Sequence, residues 1–298
     1  MQAQSVLLIG GSGFVGTSVI ESLAQRGLRI VVPTRRVPRR TSSPAVEWVN
    51  ADVNADGVLA ALMPGVDAVI NLVGILHDRD SSAPFGRGFS AAHVELPRKI
   101  VAAMHAAGVR RLLHVSALRA SDAAPSAYLR SKAAGEAALR EADGIEVTIF
   151  RPSVIFGPDD AFLNLFARLL RVFPVLPLAG ATARFQPVFV GDVARVLADA
   201  IERPETVGQI YELGGPRVYP LRALVEYVAV CRGLRRLVVP LPMPLAYLQA
   251  GLLGCLPQPP MTIDNLRSMR LDNICDGRHD YPDWRPTALE TVVPTYLS

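Results

Sequence analysis

A chain of 298 residues, 50% hydrophobic and 19% charged, can bury a sizeable core; that excludes global disorder and leaves one large α/β domain or a nucleotide domain with a smaller companion. The formal net charge of +4 is carried by arginine, with lysine only at positions 99 and 132, and this compositional bias implies no nucleic-acid partner. Cys231, Cys255 and Cys275 are widely spaced and form no Cys-x-x-Cys pair, so neither a disulfide framework nor a zinc site is expected, and a reducing compartment fits. The first strand starts about four residues from Met1, which leaves no room for a targeting segment and makes a cytoplasmic location the expectation.

The chain opens on SVLLIGGSGFVG, Ser5 to Gly16. Val6 to Ile9 is a continuous apolar run suited to a strand buried on both faces, and Thr17 to Arg26 carries apolar residues at helical intervals. Between them Gly10, Gly13 and Gly16 allow a tight turn, backbone approach to a pyrophosphate and close packing of helix on strand. The helix start offers unpaired N–H groups to phosphate. Gly10, Ser12, Gly13, Phe14, Val15 and Gly16 are therefore the candidate pyrophosphate loop. Strands follow at Arg29 to Pro33 and Val46 to Val49, separated by a basic loop, Val37 to Pro44. A short helix, Leu59 to Met63, leads to a strand at Asp67 to Leu72, and a polar loop, His77 to Gly88, leads to a helix from Ser90 to Ala107. Arg111 to Val115 is the fifth strand, Ser126 to Ala142 a helix, and Val147 to Phe150 the sixth strand.

This alternation predicts a doubly wound parallel sheet, a Rossmann fold of the α/β class. After Pro152 the pattern loosens: helices are expected at Phe162 to Phe173, Val193 to Glu202 (capped by Asp192) and Leu221 to Cys231, with strands at Val188 to Val190 and Gln209 to Leu213. The expected units are a dinucleotide-binding domain over 1–155, its sheet completed by parts of 185–215, and a smaller, mostly helical region over 156–298.

The cofactor preference is read at the end of the second strand. Roughly twenty residues past the glycines an NAD enzyme places an acid against the ribose 2′-hydroxyl. Here Pro33-Thr34-Arg35-Arg36 offers two arginines, which suit a 2′-phosphate, so NADP is favoured over NAD; a solvated basic loop is the other reading. Asp52 is either an acceptor for the adenine amino group or a turn aspartate. Tyr128 and Lys132 lie four apart on one helix face, where an ammonium beside a phenol is expected to lower its pKa and fit it for proton transfer. Ser116, at the end of the fifth strand, can hold a substrate carbonyl. Lys132 is one of two lysines in a chain that otherwise uses arginine, which marks a place for a compact ammonium.

These residues carry a resemblance. GGSGFVG, NLVG (Asn71 to Gly74), HVSAL (His114 to Leu118), YLRSK (Tyr128 to Lys132), RPSVIFGP (Arg151 to Pro158) and QPVFVGDVA (Gln186 to Ala194) resemble the extended and atypical branches of the short-chain dehydrogenase/reductase superfamily. YLRSKAAGE, RPSVIFGPDDAFLN and FQPVFVGDVA are similar to the NADPH-binding accessory subunit of respiratory complex I and its bacterial epimerase/dehydratase-like relatives. The resemblance implies that Gly10, Gly13 and Gly16 bind pyrophosphate and that Asp52 and Val53 flank adenine. It further implies that Leu72, Val73 and Gly74 line the cofactor, that Pro152, Ser153, Val154 and Ile155 touch the nicotinamide end, and that Ser116, Tyr128 and Lys132 form a catalytic trio, Lys132 also bonding the nicotinamide ribose. His93 stands where extended members commonly carry asparagine; a lone histidine there reads first as a packing or hydrogen-bonding residue.

Two functions follow. One is an NADP(H)-dependent oxidoreductase or epimerase/dehydratase acting on a small apolar or quinone-like molecule. The other is a non-catalytic NADPH-binding protein tied to a respiratory complex or to quinone biosynthesis. Leu237 to Pro260 is apolar and interrupted by prolines, and its uninterrupted part, Leu245 to Leu256, is too short to span a bilayer. It is either a core helix or a surface that contacts a ligand, a protein complex or the inner face of a membrane.

Overall fold

The computed structural model describes residues 3–37, 43–80, 82–257 and 259–297. In chain order the first part comprises β1 (Ser5–Ile9), α1 (Phe14–Gln25), β2 (Arg29–Thr34), β3 (Val46–Asn50), α2 (Val58–Leu62), β4 (Ala68–Asn71), α3 (Arg87–Ser90), α4 (Leu96–Ala107), β5 (Arg111–Val115), α5 (Ala127–Arg140) and β6 (Glu146–Pro152). Next come β7 (Ile155–Phe156), α6 (Leu163–Val172), β8 (Val175–Leu178), β9 (Arg184–Phe185), β10 (Val188–Phe189), α7 (Val190–Ala200), β11 (Ile210–Leu213), β12 (Tyr219–Pro220), α8 (Leu221–Cys231), β13 (Leu237–Pro240) and α9 (Met243–Gly254). Three short helices, α10 (Ile263–Ser268), α11 (Leu289–Val292) and α12 (Pro294–Leu297), end the chain.

Seven strands pair in parallel in the order β11-β6-β5-β4-β1-β2-β3, so the winding reverses between β1 and β4. That reversal opens a crevice at the carboxyl ends of the strands, where an open α/β sheet receives its ligand. Val6, Leu8 and Ile70 pack with Val193 and Leu197 of α7 on one face of the sheet; Leu7, Ile9 and Val69 pack with Leu96 and Ile100 of α4 on the other. A further core joins α6, α8, β8 and the last two helices around Phe166, Leu224 and Val293.

Several boundaries move for identifiable reasons. Gly13 is the N-cap of α1, so the helix starts at Phe14 rather than Thr17 and takes Gly16 inside it. Asp192 is not a cap: it lies in the first turn of α7, where its carboxylate accepts from the backbone N–H and hydroxyl of Thr287 at 2.6 and 3.1 Å. The helix expected from Ser90 starts at Arg87 and passes through a π-helical turn, Ala91–Glu95. The proline-interrupted stretch after Leu237 first forms β13, parallel to β8, and only then a helix.

Helix α5 is locked to the sheet by one buried ion pair. Glu136, fully buried, receives Arg151 of β6 through two bonds, Nε–Oε1 at 2.9 Å and Nη2–Oε2 at 2.5 Å. Removing one partner of such a pair strands the other charge without solvent, a loss of about 3 kcal/mol or more. Glu136→Gln is therefore expected to lower the unfolding free energy by about 3 kcal/mol in urea denaturation, far more than loss of the exposed Arg29–Glu47 pair.

Candidate active site

The glycine turn follows β1, at the edge of the winding reversal. Gly10 has φ +85°, a left-handed conformation that disfavours a side chain, and a Cβ there would meet the backbone of Leu72 and Val73 at 3.2 Å. A Cβ on Gly16 would lie 2.4 Å from the Gly11 carbonyl oxygen, so only glycine lets the helix sit this close to the turn. The result is an empty-walled cradle at the amino end of α1, with Ser12 and Gly13 exposed and Phe14 and Val15 half-buried behind them. Its shape fits a pyrophosphate.

At the end of β2, buried Thr34 exchanges hydrogen bonds with the backbone of Arg36, and Arg35 and Arg36 are exposed. Neither arginine forms an ion pair among the described residues. The following basic residues, Arg39 and Arg40, lie outside the described residues. Asp52 is exposed after β3 and accepts from the backbone and side chain of Asn54, both at 3.0 Å, bonds that hold its carboxyl below the usual range. Val53, beside it, packs against the core.

Below the crevice, between the sheet and helices α4 and α5, lies a polar layer. Lys132 is buried, and its Nζ donates to the Val115 carbonyl at 3.1 Å. Burial pushes this ammonium down to about 8, and the charge of Glu136, itself engaged by Arg151, offsets only part of that cost. Gly74 borders it so closely that a Cβ would lie 3.1 Å from Nζ. Leu72 and Val73 are half-buried, and the Val73 N–H is held by Asn71 Oδ1 at 3.1 Å. Ser116 follows Val115 directly, and its Oγ is a buried atom without a partner among the described residues; so is Nε2 of His114, whose Nδ1 accepts from Asn71 Nδ2 at 3.2 Å. A buried hydroxyl without a partner is costly unless a ligand completes it.

His93 sits in the π-turn. Its Nε2 accepts from the Ile75 N–H at 3.1 Å, which makes Nδ1 the protonated nitrogen, and that donates to Ser131 Oγ at 2.8 Å. Burial and the neighbouring Lys132 keep both His93 and His114 neutral. The turn is crossed at close range by α5: a Cβ on Gly135 would overlap the His93 carbonyl oxygen. Tyr128 packs edge-on to His93, ring centroids 5.7 Å apart, and tilted against Phe89 at 6.1 Å. Its phenol does not behave as the Tyr/Lys spacing led us to expect. Burial pushes it up to about 12, and Lys132 donates to the Val115 carbonyl instead.

Two positioning residues come from far along the chain. Asp264 of α10 accepts from the backbone N–H groups of Ala127 and Tyr128 at 2.8 and 3.0 Å, fixing the start of α5. Asn273 Oδ1 accepts from Ser153 Oγ at 2.6 Å and from the Val154 N–H at 3.0 Å, fixing the segment that includes Pro152 and Ile155. Nothing local in the sequence marks either one; each lies more than a hundred residues from the group it holds.

Lys132 makes the site expensive. Its shift to about 8 from an ordinary lysine value corresponds to about 3 kcal/mol of lost stability at neutral pH. The unfolded chain binds the extra proton between pH 8 and the ordinary value, so stability rises with pH across that window and the cost is full below it. Lys132→Met is expected to raise the unfolding free energy at pH 7 by about 1–2 kcal/mol, the Val115 carbonyl losing its partner and offsetting the rest. The same variant is expected to bind nicotinamide dinucleotides more weakly, as isothermal calorimetry would read.

The sequence profile of the NAD dependent epimerase/dehydratase family matches residues 6–214. The mouse (Mus musculus) protein "NADH dehydrogenase [ubiquinone] 1 alpha subcomplex subunit 9, mitochondrial" is 34% identical over 250 residues, 80% of this chain and 63% of that protein. "Ceramide reductase" of Caulobacter vibrioides is 35% identical over 202 residues, 67% of this chain and 61% of that protein. The chain thus spans less than two thirds of either relative. Among solved structures, UDP-glucuronic acid 4-epimerase from Bacillus cereus, in complex with UDP-glucuronic acid and NAD, superposes with a TM-score of 0.68 at 17% identity, covering 80% of this chain and 86% of that one. With its seven-stranded parallel sheet, its glycine cradle at the winding reversal and a family match over most of its length, this chain belongs to the NAD dependent epimerase/dehydratase family.

Proposed function

We propose that this protein is an NADP(H)-dependent oxidoreductase that interconverts a carbonyl and an alcohol on an apolar molecule. The observation that carries the reading is Lys132: a buried ammonium with one protein acceptor, beside Gly74 and the unpartnered Ser116 hydroxyl and one helical turn from Tyr128. A protein keeps so costly a group where a ligand supplies its remaining acceptors.

In this reading Gly10, Ser12, Gly13 and the first turn of α1 hold the pyrophosphate. Arg35 and Arg36 hold a 2′-phosphate, Asp52 and Val53 flank the adenine, and Leu72 to Gly74 with Pro152 to Ile155 border the nicotinamide half. The bound nicotinamide supplies or accepts a hydride. Ser116 Oγ donates to the substrate oxygen and orients it. Tyr128, neutral across the physiological range, gives its phenolic proton to that oxygen in reduction and takes it back in oxidation. Lys132 would bond the nicotinamide ribose and steady the phenolate that results. An apolar substrate is favoured over a nucleotide sugar by the likeness to the ceramide reductase of Caulobacter vibrioides.

A second reading is binding of NADPH without turnover within a protein complex; the likeness to the mouse respiratory subunit supports the place in a complex. The two separate cleanly. NADPH is expected to bind at least about tenfold tighter than NADH, a difference of ~1.4 kcal/mol, and the Arg35→Ala/Arg36→Ala double variant is expected to lose most of that preference in fluorescence titration. Tyr128→Phe is expected to bind NADPH like the parent and to reduce a long-chain ketone about 10²–10⁴-fold more slowly. A parent that binds NADPH but consumes none of it with any ketone offered would leave the binding role, and equal consumption by parent and variant would remove Tyr128 as the proton donor.

A further inference from the structure

Helix α9 is built inside out. Ala246 and Ala250, one turn apart, are fully buried against Ala179 and Leu266, whereas Leu248 and Leu252 are 61% and 68% exposed. The small residues let the helix lie close to the body and leave its leucines facing outwards. The same face continues onto the parallel ribbon β8–β13. There Leu237 pairs with Val175 and Val239 with Pro177, all four exposed, while Leu176, Leu178 and Val238 point into the core. Gln249 of α9 donates to the Pro177 carbonyl at 3.4 Å, so helix and ribbon form one continuous surface. Contiguous apolar surface on this scale marks an interaction site.

The charge around it decides the occupant. Residues 161–183 and 227–263, which build this region, contain no aspartate, glutamate or lysine and five arginines. Arg171 and Arg235 are exposed beside the ribbon, where the Arg236 Nε donates to the Leu170 carbonyl at 2.6 Å and ties the two segments together. At the far end Arg79 donates to the Leu256 carbonyl at 3.1 Å, and Arg267 on α10 and Arg270 just after it are exposed. A second copy of the chain would bring like charges face to face. An anionic lipid surface meets both features at once: acyl chains take the leucines and phosphates take the arginines. No helix among the described residues is long and apolar enough to cross a membrane.

We propose that α9 and the β8–β13 ribbon form a docking face for the surface of an anionic phospholipid bilayer. The inference is independent of the chemistry proposed above, since it needs neither cofactor nor turnover. It does bear on that chemistry: α10, which follows α9, carries the Asp264 that fixes Tyr128, so docking sets the candidate site beside the lipid.

The test is flotation of the full chain with vesicles of phosphatidylcholine alone or with about one third phosphatidylglycerol, at about 0.15 M salt and without cofactor. Binding to the anionic vesicles is expected to exceed binding to the neutral ones by at least tenfold. Leu248→Glu/Leu252→Glu is expected to abolish it, and Arg171→Ala/Arg235→Ala to weaken it about tenfold, with NADPH affinity and melting temperature unchanged in both. Equal binding to both vesicle types, or binding that survives both double variants, would overturn the proposal. So would failure to bind either vesicle, which would leave the face to a protein partner, or a concentration-dependent dimer dissolved by the leucine substitutions.

Discussion

An ammonium held in the protein interior by one backbone carbonyl sets the terms for the rest of the structure. Lys132 has lost most of its hydration, its neighbouring carboxylate is committed to Arg151, and its remaining donors have no partner among the described residues. Around it the protein has arranged groups that cannot add charge: two neutral histidines, an asparagine, two serines and a glycine at the closest approach. In such surroundings a second cation would be very costly, which is why burial keeps His93 and His114 unprotonated. The arrangement is coherent as a ligand site and poor as a stabilising core.

The sheet decides where that layer can exist. Reversal of the winding between β1 and β4 separates their crossover helices and leaves an opening at the carboxyl ends of the strands. The glycine turn fills one side of the opening and the α4–α5 layer the other. The carboxyl-terminal part then supplies the fixings. Asp264 caps the helix that bears Tyr128 and Lys132, and Asn273 clamps residues 153 and 154. The geometry of the candidate site is thereby coupled to the region whose outer face is apolar.

Much of this was legible in the sequence because it is local. The strand Arg111–Val115 and the helix Leu221–Cys231 have the bounds their apolar patterns predict, and the parallel sheet follows from strand and helix alternation. What escaped is long-range or energetic. The ribbon β8–β13 pairs strands of four residues across some sixty positions, and no period is visible in so short a run. Asp192 reads as a cap because caps are commonly aspartate, yet its partner is Thr287. The pairing of Tyr128 with Lys132 implied a lowered phenol pKa; desolvation raises it instead. The alternation of exposed leucine with buried alanine in α9 was invisible to a hydrophobic-face argument, since both residue types are apolar.

The scarcity of lysine gives direct access to the central claim. Lysine-selective isotope labelling yields signals from Lys99 and Lys132 alone, and a pH titration followed by NMR reads the two separately. The account predicts that Lys132 loses its proton near pH 8 in the free protein and at a higher pH once NADPH is bound, because the ligand supplies acceptors that the protein lacks. A Lys132 that titrates near the ordinary lysine value of about 10.4 in the free protein, and does not move when NADPH is added, would contradict it.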